Sequence, residues 1–199
     1  MMARAQVYHV DIKFAVPADY KVALERCKAE FLEKEKIQDI YFDTRNLDLL
    51  QFGAYLRNRN SKLELKVPMT WHGDYKDYSG LTEFFIFRNE EVGSILKEKF
   101  KTELQETEVL CSVVFEREYW CYKDYSVIID TVFATEKEFR IGEIKSLGTV
   151  STNTEIERQK AMEILTEFGF ETTTQGKLAT IFKEQHSLAH LKLETMTGS

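Results

Sequence analysis

The sequence has 199 residues and a formal net charge of −6, with 43% hydrophobic and 13% aromatic residues. A chain of this size and composition buries about 70% of its unfolded surface, so it folds without a metal ion or a disulfide. The acidic balance argues against a general nucleic-acid-binding protein. We expect one domain over residues 1–185, followed by a polar tail over residues 186–199.

The cysteines and the terminal segments bear on where the protein resides. Cys27, Cys111 and Cys121 are odd in number and show no Cys-x-x-Cys or Cys/His metal spacing, which is typical of reduced thiols. The first residues lack the apolar run of a signal peptide, and no stretch approaches the roughly 20 apolar residues of a membrane span. These features predict a cytoplasmic protein without a membrane partner. We expect a monomer or a homodimer.

Alternation of apolar and polar residues predicts most of the secondary structure. In the first strand, Ile12 and Phe14 point one way while Asp11 and Lys13 point the other. In chain order, the predicted elements are strand 6–14, helix 17–33, strands 36–44, 55–60, 62–67 and 81–87, helix 89–100, strands 109–122, 126–134 and 139–147, helix 153–168 and a short helix 177–185.

The helices are predicted from residue spacing and from their end signals. Pro17 stands near the start of helix 17–33, in which Tyr20 and Leu24 recur at helical spacing. Helix 153–168 begins in a Ser/Thr/Asn run and ends before Gly169, which suits the left-handed residue that terminates many helices.

The charged faces of the strands decide the fold class. One such strand usually turns its charged face to water. Repetition of the pattern over several strands favours a closed barrel, whose apolar faces lie outward under helices and whose charged faces enclose a polar cavity. We therefore predict an α+β fold: an eight-stranded antiparallel β-barrel, or tunnel, with helices packed outside.

Basic residues on the polar faces of the strands would converge inside such a barrel. Arg supplies a bidentate fork to phosphate oxygens and Lys a point charge, and a cavity strengthens both interactions. The converging basic residues are Lys13, Arg57, Arg59, Lys66 and Arg117, joined by Lys177 near the end of the chain.

Carboxylates share the faces of these basic residues. Two interpretations remain open, since such carboxylates either hold Mg²⁺ or Mn²⁺ beside a phosphate or form salt bridges to the neighbouring Arg and Lys. The carboxylates concerned are Asp11, Glu64, Asp130 and Glu143.

The order of these residues resembles the CYTH superfamily, also called triphosphate tunnel metalloenzymes. The matching pieces are HVDIK at 9–13, YFDT at 41–44, LRNR at 56–59, LELK at 63–66, Arg117, Asp130, GEIK at 142–145 and Lys177. The layout is most similar to that of thiamine triphosphatase. The resemblance implies an eight-stranded tunnel that binds a small phosphorylated organic molecule.

The resemblance also implies roles for individual residues. Phosphate would be bound by Lys13, Arg57, Arg59, Lys66, Arg117 and Lys177. A divalent cation, Mg²⁺ or Mn²⁺, would be held by Asp11, Asp130 and Glu143. For this chain we predict that Glu143, Lys145 and Lys13 carry the chemistry.

Three positions depart from the family pattern. His9 and Lys145 stand where the family has acidic residues, and Phe115 stands where a basic residue is frequent. Lys145 is able to pair with a neighbouring carboxylate and take the place of a metal ion electrostatically. We therefore expect the use of Mg²⁺ or Mn²⁺ to be weakened, and the pocket to suit a full triphosphate less well.

Three functions compete at this point. The first is a triphosphate phosphohydrolase in which Glu143 orients the attacking water. The second is a lyase or cyclase acting on an organic or diphosphate substrate, including chemistry like that of adenylyl cyclases. In this second function, the aromatic residues that line the substrate pocket would be Phe115, Tyr119, Tyr55 and Trp71. The third is a phosphate-binding module without catalysis.

Overall fold

The structure, a computed structural model, describes residues 6–8, 11–68, 84–133, 138–146, 154–178 and 180–181. Its strands are β1 (Gln6–Tyr8), β2 (Asp11–Ala15), β3 (Glu30–Asp43), β4 (Tyr55–Arg59), β5 (Lys62–Pro68), β6 (Phe84–Arg88), β7 (Glu108–Tyr122), β8 (Tyr125–Val132) and β9 (Phe139–Ser146). Its helices are α1 (Tyr20–Arg26), α2 (Asp48–Gln51), α3 (Glu90–Ile95), which continues as a π-helical turn (Leu96–Phe100), a 3₁₀ turn (Leu104–Glu106) and α4 (Thr154–Phe168).

All strands join one antiparallel sheet in the order β1-β6-β5-β4-β3-β7-β8-β9-β2. The segments β1 and β2 together make up the predicted first strand, so the eight predicted strands are confirmed. The α+β class, with helices on the outside of the sheet, is confirmed as well.

The first strand determines how the sheet curls. Its two segments pair with opposite edges of the sheet, β1 with β6 and β2 with β9. Only two residues separate them, and so short a connection spans at most about 11 Å. The sheet must therefore curl until its two edges come close to each other at this seam, which makes a tunnel. Because β1 and β2 do not pair with each other in the described ladder, the sheet stays open there.

The outer face of the tunnel is apolar and covered by helices. Leu24 of α1 and Phe168 of α4 pack on outward residues such as Ile144, in a buried cluster. A second cluster joins Leu49 of α2 and Val92 of α3 to the β4–β5 wall. Burial of this apolar surface supplies the main driving force for folding.

Gly142 allows two layers of the outer core to approach closely. Phe14 lies opposite Gly142 in the β2–β9 ladder, and a Cβ at residue 142 would come within 2.1 Å of the Phe14 ring. The ring also stacks on Phe170, with 5.0 Å between centroids and 14° between planes. Only glycine leaves room for this stack.

A third apolar cluster lies inside the tunnel. Leu178 and Ile181 of the C-terminal helical turn pack against inward residues of the strands, among them Ile37 and Phe115. These contacts fill part of the interior and bring Lys177, the residue before Leu178, onto the same face.

The first predicted helix is too long. We predicted helix 17–33, but α1 ends at Arg26 and β3 begins at Glu30. Lys28 has φ 61°, which turns the chain out of the helix, and Glu30 pairs with Cys121 of β7. Sheet pairing therefore overrides the helical spacing of the last four residues.

The other helix predictions fare better. Helices 89–100 and 153–168 are confirmed as α3 with its π-helical turn and as α4. The described part of helix 177–185 is helical, at 177–178 and 180–181. Across the whole part of the chain that the structure describes, none of the helices has the length and apolar character of a membrane span. The predicted tail, 186–199, lies outside the described residues.

Candidate functional site: the charged interior of the tunnel

The antiparallel register places the predicted site residues on the inner face of the tunnel. Ile12 and Phe14 belong to the outer cluster, so Lys13 between them points inward. The pairs that lie opposite each other on neighbouring strands are Lys13 and Glu143, Arg57 and Glu64, and Arg117 and Asp130.

Arg117 and Asp130 form a bidentate ion pair across β7 and β8. Arg117 donates from Nε and Nη2 to the two carboxylate oxygens at 2.6 and 2.7 Å, and both residues are buried. Lys177 Nζ adds a contact to Asp130 Oδ2 at 3.1 Å. Burial alone would raise the pKa of Asp130, but the charges of Lys177 and Arg117 lower it below its ordinary value.

Arg57 and Arg59 on β4 are also held by carboxylates. Arg57 donates from Nε and Nη2 to Glu64 Oε2 at 2.9 and 2.6 Å. Arg59 donates from Nε and Nη2 to the two oxygens of Asp39, both at 2.7 Å. Both guanidinium groups are thus fixed before any ligand arrives.

Asp39 is a site residue that our sequence analysis missed. It lies on β3 with no exposed surface, and it also contacts Arg57 at 3.6 Å and Lys177 at 3.7 Å. The Tyr41 hydroxyl donates to it at 3.2 Å. The available signal was its inward position between two apolar inward residues, where a buried charge needs partners from elsewhere in the chain.

Glu143 lies in the interior of the tunnel near four basic side chains. Lys145 Nζ lies 3.0 Å from its Oε2. Burial would raise the pKa of Glu143, but nearby cations hold it well below its ordinary value. These cations are Lys145, Arg117, Lys13 and Lys66, in decreasing order of effect. Glu143 is therefore ionised at neutral pH and surrounded by positive charge.

Phe115 lies at the centre of three cations. The guanidinium carbons of Arg59 and Arg117 are 5.6 and 5.5 Å from its ring centroid, and Lys177 Nζ is 3.1 Å from it. Burial, with the charges of the two arginines, lowers the pKa of Lys177 to about 8, although Asp130 acts in the opposite direction. The electron-rich face of the ring thus attracts these cations.

The structure brings together most of the predicted residues. Lys13, Lys66 and Lys145 lie around Glu143, while Arg57, Arg59, Arg117 and Lys177 are joined through Asp39, Glu64 and Asp130. Asp11 lies opposite Lys145 in the β2–β9 ladder. His9 and Trp71 lie outside the described residues.

The CYTH domain profile matches residues 8–186, nearly the whole chain. The chain belongs to the CYTH domain family. The resemblance seen in the sequence is thereby confirmed. No curated protein matches the sequence significantly.

Solved structures of low sequence identity share the CYTH fold seen here. A protein from Hippeastrum, described as a putative adenylyl cyclase with dominant triphosphatase activity, is 16% identical with a TM-score of 0.63, covering 87% of this chain and 95% of that chain. A putative adenylate cyclase from Bacillus halodurans is 14% identical with a TM-score of 0.61, covering 88% and 97%. A protein from Pyrococcus horikoshii is 20% identical with a TM-score of 0.59, covering 94% and 98%.

CYTH enzymes commonly use divalent metals, and the arrangement of carboxylates tests whether one fits here. Arg117 occupies both oxygens of Asp130, and Lys145 lies against Glu143. Within the described ranges, no three His, Cys, Asp or Glu side chains are grouped to hold a metal ion. As arranged, these carboxylates hold protein cations and do not fit a metal. The predicted metal set of Asp11, Asp130 and Glu143 stays a prediction.

Proposed function

We propose that this CYTH protein is a phosphohydrolase, which binds a small phosphorylated organic molecule in the tunnel and cleaves a phosphoanhydride bond. The observation that carries the proposal is the placement of Glu143. Its ionised carboxylate lies amid four cations, beside a wall of arginines already fixed in position. A triphosphate is the preferred substrate class, with thiamine triphosphate as the first candidate from the sequence resemblance.

The chemistry follows from these charges. The oxygen of a water molecule attacks the terminal phosphorus in line, and the bond from that phosphorus to the bridging oxygen breaks. Arginine and lysine side chains neutralise the charge on the phosphoryl oxygens, a role that preorganised cations perform well in an enclosed site. The leaving diphosphate group takes the electron pair of the broken bond, and the protons of the attacking water stay on the released orthophosphate.

Glu143 orients the water in this scheme. Because its pKa lies well below the ordinary value, it accepts a hydrogen bond from water and is a weak base. Lys13, opposite Glu143 in the ladder, and Lys145, 3.0 Å from it, hold the carboxylate and face the terminal phosphate.

The description of the Hippeastrum relative supports the triphosphate class, since it names triphosphatase activity on the same fold. A second candidate, a lyase or cyclase acting on an organic diphosphate, is favoured by Phe115. Its ring lies among the cations that would bind phosphate, so an organic group beside those phosphates would meet an aromatic surface.

Product analysis on the purified full chain tests the proposal. Thiamine triphosphate, ATP and tripolyphosphate are each supplied with Mg²⁺, Mn²⁺ or EDTA, and the release of phosphate and of pyrophosphate is measured. We expect phosphate release from at least one triphosphate. Release of pyrophosphate without phosphate would favour the second candidate, and no release from any substrate would contradict both.

A matched pair of variants ties the activity to the tunnel. Lys13→Met removes an inner cation beside Glu143, whereas Glu116→Gln changes a charge on the outer face, where Glu116 pairs with Lys34 at 2.5 Å. We expect Lys13→Met to lower the rate by about 100-fold and Glu116→Gln to leave it unchanged. Equal rates in the two variants would place the activity outside the tunnel.

A further inference from the structure

Asp39 is completely buried on the inner face of β3, between strands β4 and β7. An ionised carboxylate removed from solvent is costly unless cations and hydrogen-bond donors surround it. Burial would raise the pKa of Asp39, but the hydrogen bond from Arg59 and the charges of Arg57, Arg59 and Lys177 hold it far below its ordinary value. Asp39 is therefore a fixed negative charge inside the tunnel.

Its partners are three of the six residues predicted to bind phosphate. Arg59 donates hydrogen bonds from Nε and Nη2 to Asp39, at 2.7 Å each. Arg57 and Lys177 lie 3.6 and 3.7 Å from Asp39 Oδ2. They come from β4 and from the C-terminal turn, so one carboxylate joins two separate parts of the tunnel wall.

A carboxylate and a phosphate offer the same acceptor geometry to a guanidinium group. Asp39 already fills part of the anion-binding capacity of these cations, and it cancels one unit of their charge. It also keeps like charges together, which would otherwise repel each other in an enclosed site. The bound phosphate meets cations that are held in place but partly neutralised.

We infer that Asp39 is a built-in counter-anion that sets how much phosphate charge the tunnel accepts. This inference rests on the proposed function, since it concerns ligand preference at the same site. Asp39 thereby acts as a specificity-determining residue. It disfavours the more highly charged of two phosphate ligands and holds the arginines ready for the less charged one.

Asp39→Asn tests the inference because it removes the charge and keeps the size of the side chain. The probes are pyrophosphate and tripolyphosphate, which differ by about one negative charge near pH 8. Their dissociation constants are measured by calorimetry in EDTA. We expect the preference for tripolyphosphate over pyrophosphate to rise by about tenfold in Asp39→Asn, since the added positive potential acts on one more ligand charge.

The matched control is Glu116→Gln, which changes the net charge of the chain equally but on the outer face. Its ligand preference should equal that of the wild type. Glu64→Gln removes a carboxylate from Arg57 on the neighbouring strand and should shift the preference in the same direction as Asp39→Asn. It serves as the test if circular dichroism shows that Asp39→Asn does not fold.

The outcomes separate the two claims. A wild-type protein that binds neither probe overturns the proposed function and this inference with it. Binding by the wild type with an unchanged preference in every folded variant overturns the inference alone. An equal increase in the dissociation constants of both probes also overturns the inference alone, because it shows that Asp39 only holds the arginines in position.

Discussion

Strand β7 carries two kinds of buried charge on its two faces. On the outer face, Glu118 is 4% exposed and accepts hydrogen bonds from the Tyr20 hydroxyl at 3.1 Å and from Trp120 Nε1 at 3.3 Å. Lys21 of α1 also pairs with it, at 3.1 Å. These contacts attach α1 to the sheet, and the carboxylate is surrounded by the aromatic core.

On the inner face of the same strand, Arg117 belongs to a network that joins the two neighbouring strands, β3 and β8, through the C-terminal turn. It pairs with Asp130, which contacts Lys177, which in turn contacts Asp39 on β3. Buried ion pairs of this kind add little stability compared with apolar packing of the same volume. The outer face therefore stabilises the fold, while the inner face holds a network of buried ion pairs that we propose binds an anion.

The largest effect should come from the outer face. Phe168 is 2% exposed and packs against Phe170 and Tyr122. Phe168→Ala leaves a cavity there and should lower the free energy of unfolding by about 3–5 kcal/mol, measured by denaturant titration. Activity per folded molecule should stay within about twofold of the wild type. A stable variant with lost activity would show that the two faces are not separable.

Glu143→Gln should give the next largest effect, on rate. Removing the charge that orients water should lower kcat by about 100-fold, or about 2.7 kcal/mol of transition-state stabilisation. Its control is Glu118→Gln, a buried carboxylate of the outer face, which should lower stability and leave kcat unchanged. Similar kcat values in the two variants would contradict the role of the inner face.

Acid should destabilise the inner face through Asp39. Its pKa is lower in the folded chain than its ordinary value of 3.8. The unfolded chain therefore binds more protons, so the stabilisation is complete above about pH 4 and is lost as pH falls through the folded value. Asp39→Asn should reduce the loss of unfolding free energy between pH 6 and pH 3 by about 1–2 kcal/mol. If the free energy of unfolding of this variant falls with pH as steeply as that of the wild type, Asp39 is not held ionised.

The smallest effect should come from an exposed pair on the outer face. The Lys34 and Glu116 side chains form an ion pair while 45% and 37% exposed, so solvent screens their attraction. Glu116→Gln should change the free energy of unfolding by less than about 1 kcal/mol. A larger change would show that this pair belongs to a cooperative network.

The sequence predicted the strands because their alternation records the two faces directly. Lys13, Arg57, Arg59 and Arg117 stand at inward positions in the structure as their period-two placement required. The end of α1 could not be read in this way, since Cys27 and Phe31 keep helical spacing. The pairing of Glu30 with Cys121, about ninety residues later, is what ends the helix.

Helix α2 and the role of Asp39 were missed for a related reason. The carboxylate of Asp43 accepts backbone hydrogen bonds from Leu49 and Leu50 at 2.9 Å, and this cap at the end of β3 starts α2. Asp39 owes its importance to arginines on a neighbouring strand and to Lys177 near the end of the chain. Neither relation leaves a periodic pattern in the sequence, because the cap joins a strand end to a short helix and the Asp39 contacts join separate parts of the chain.

The most direct test of a phosphate site in the tunnel is a calorimetric titration of tripolyphosphate into the wild type, Arg117→Gln and Glu116→Gln. We expect the wild type and Glu116→Gln to bind equally, with an affinity that falls as salt rises, and Arg117→Gln to bind at least about tenfold more weakly. Equal binding by all three proteins, or no binding by the wild type, would contradict the claim that the inner face of the tunnel is a phosphate site.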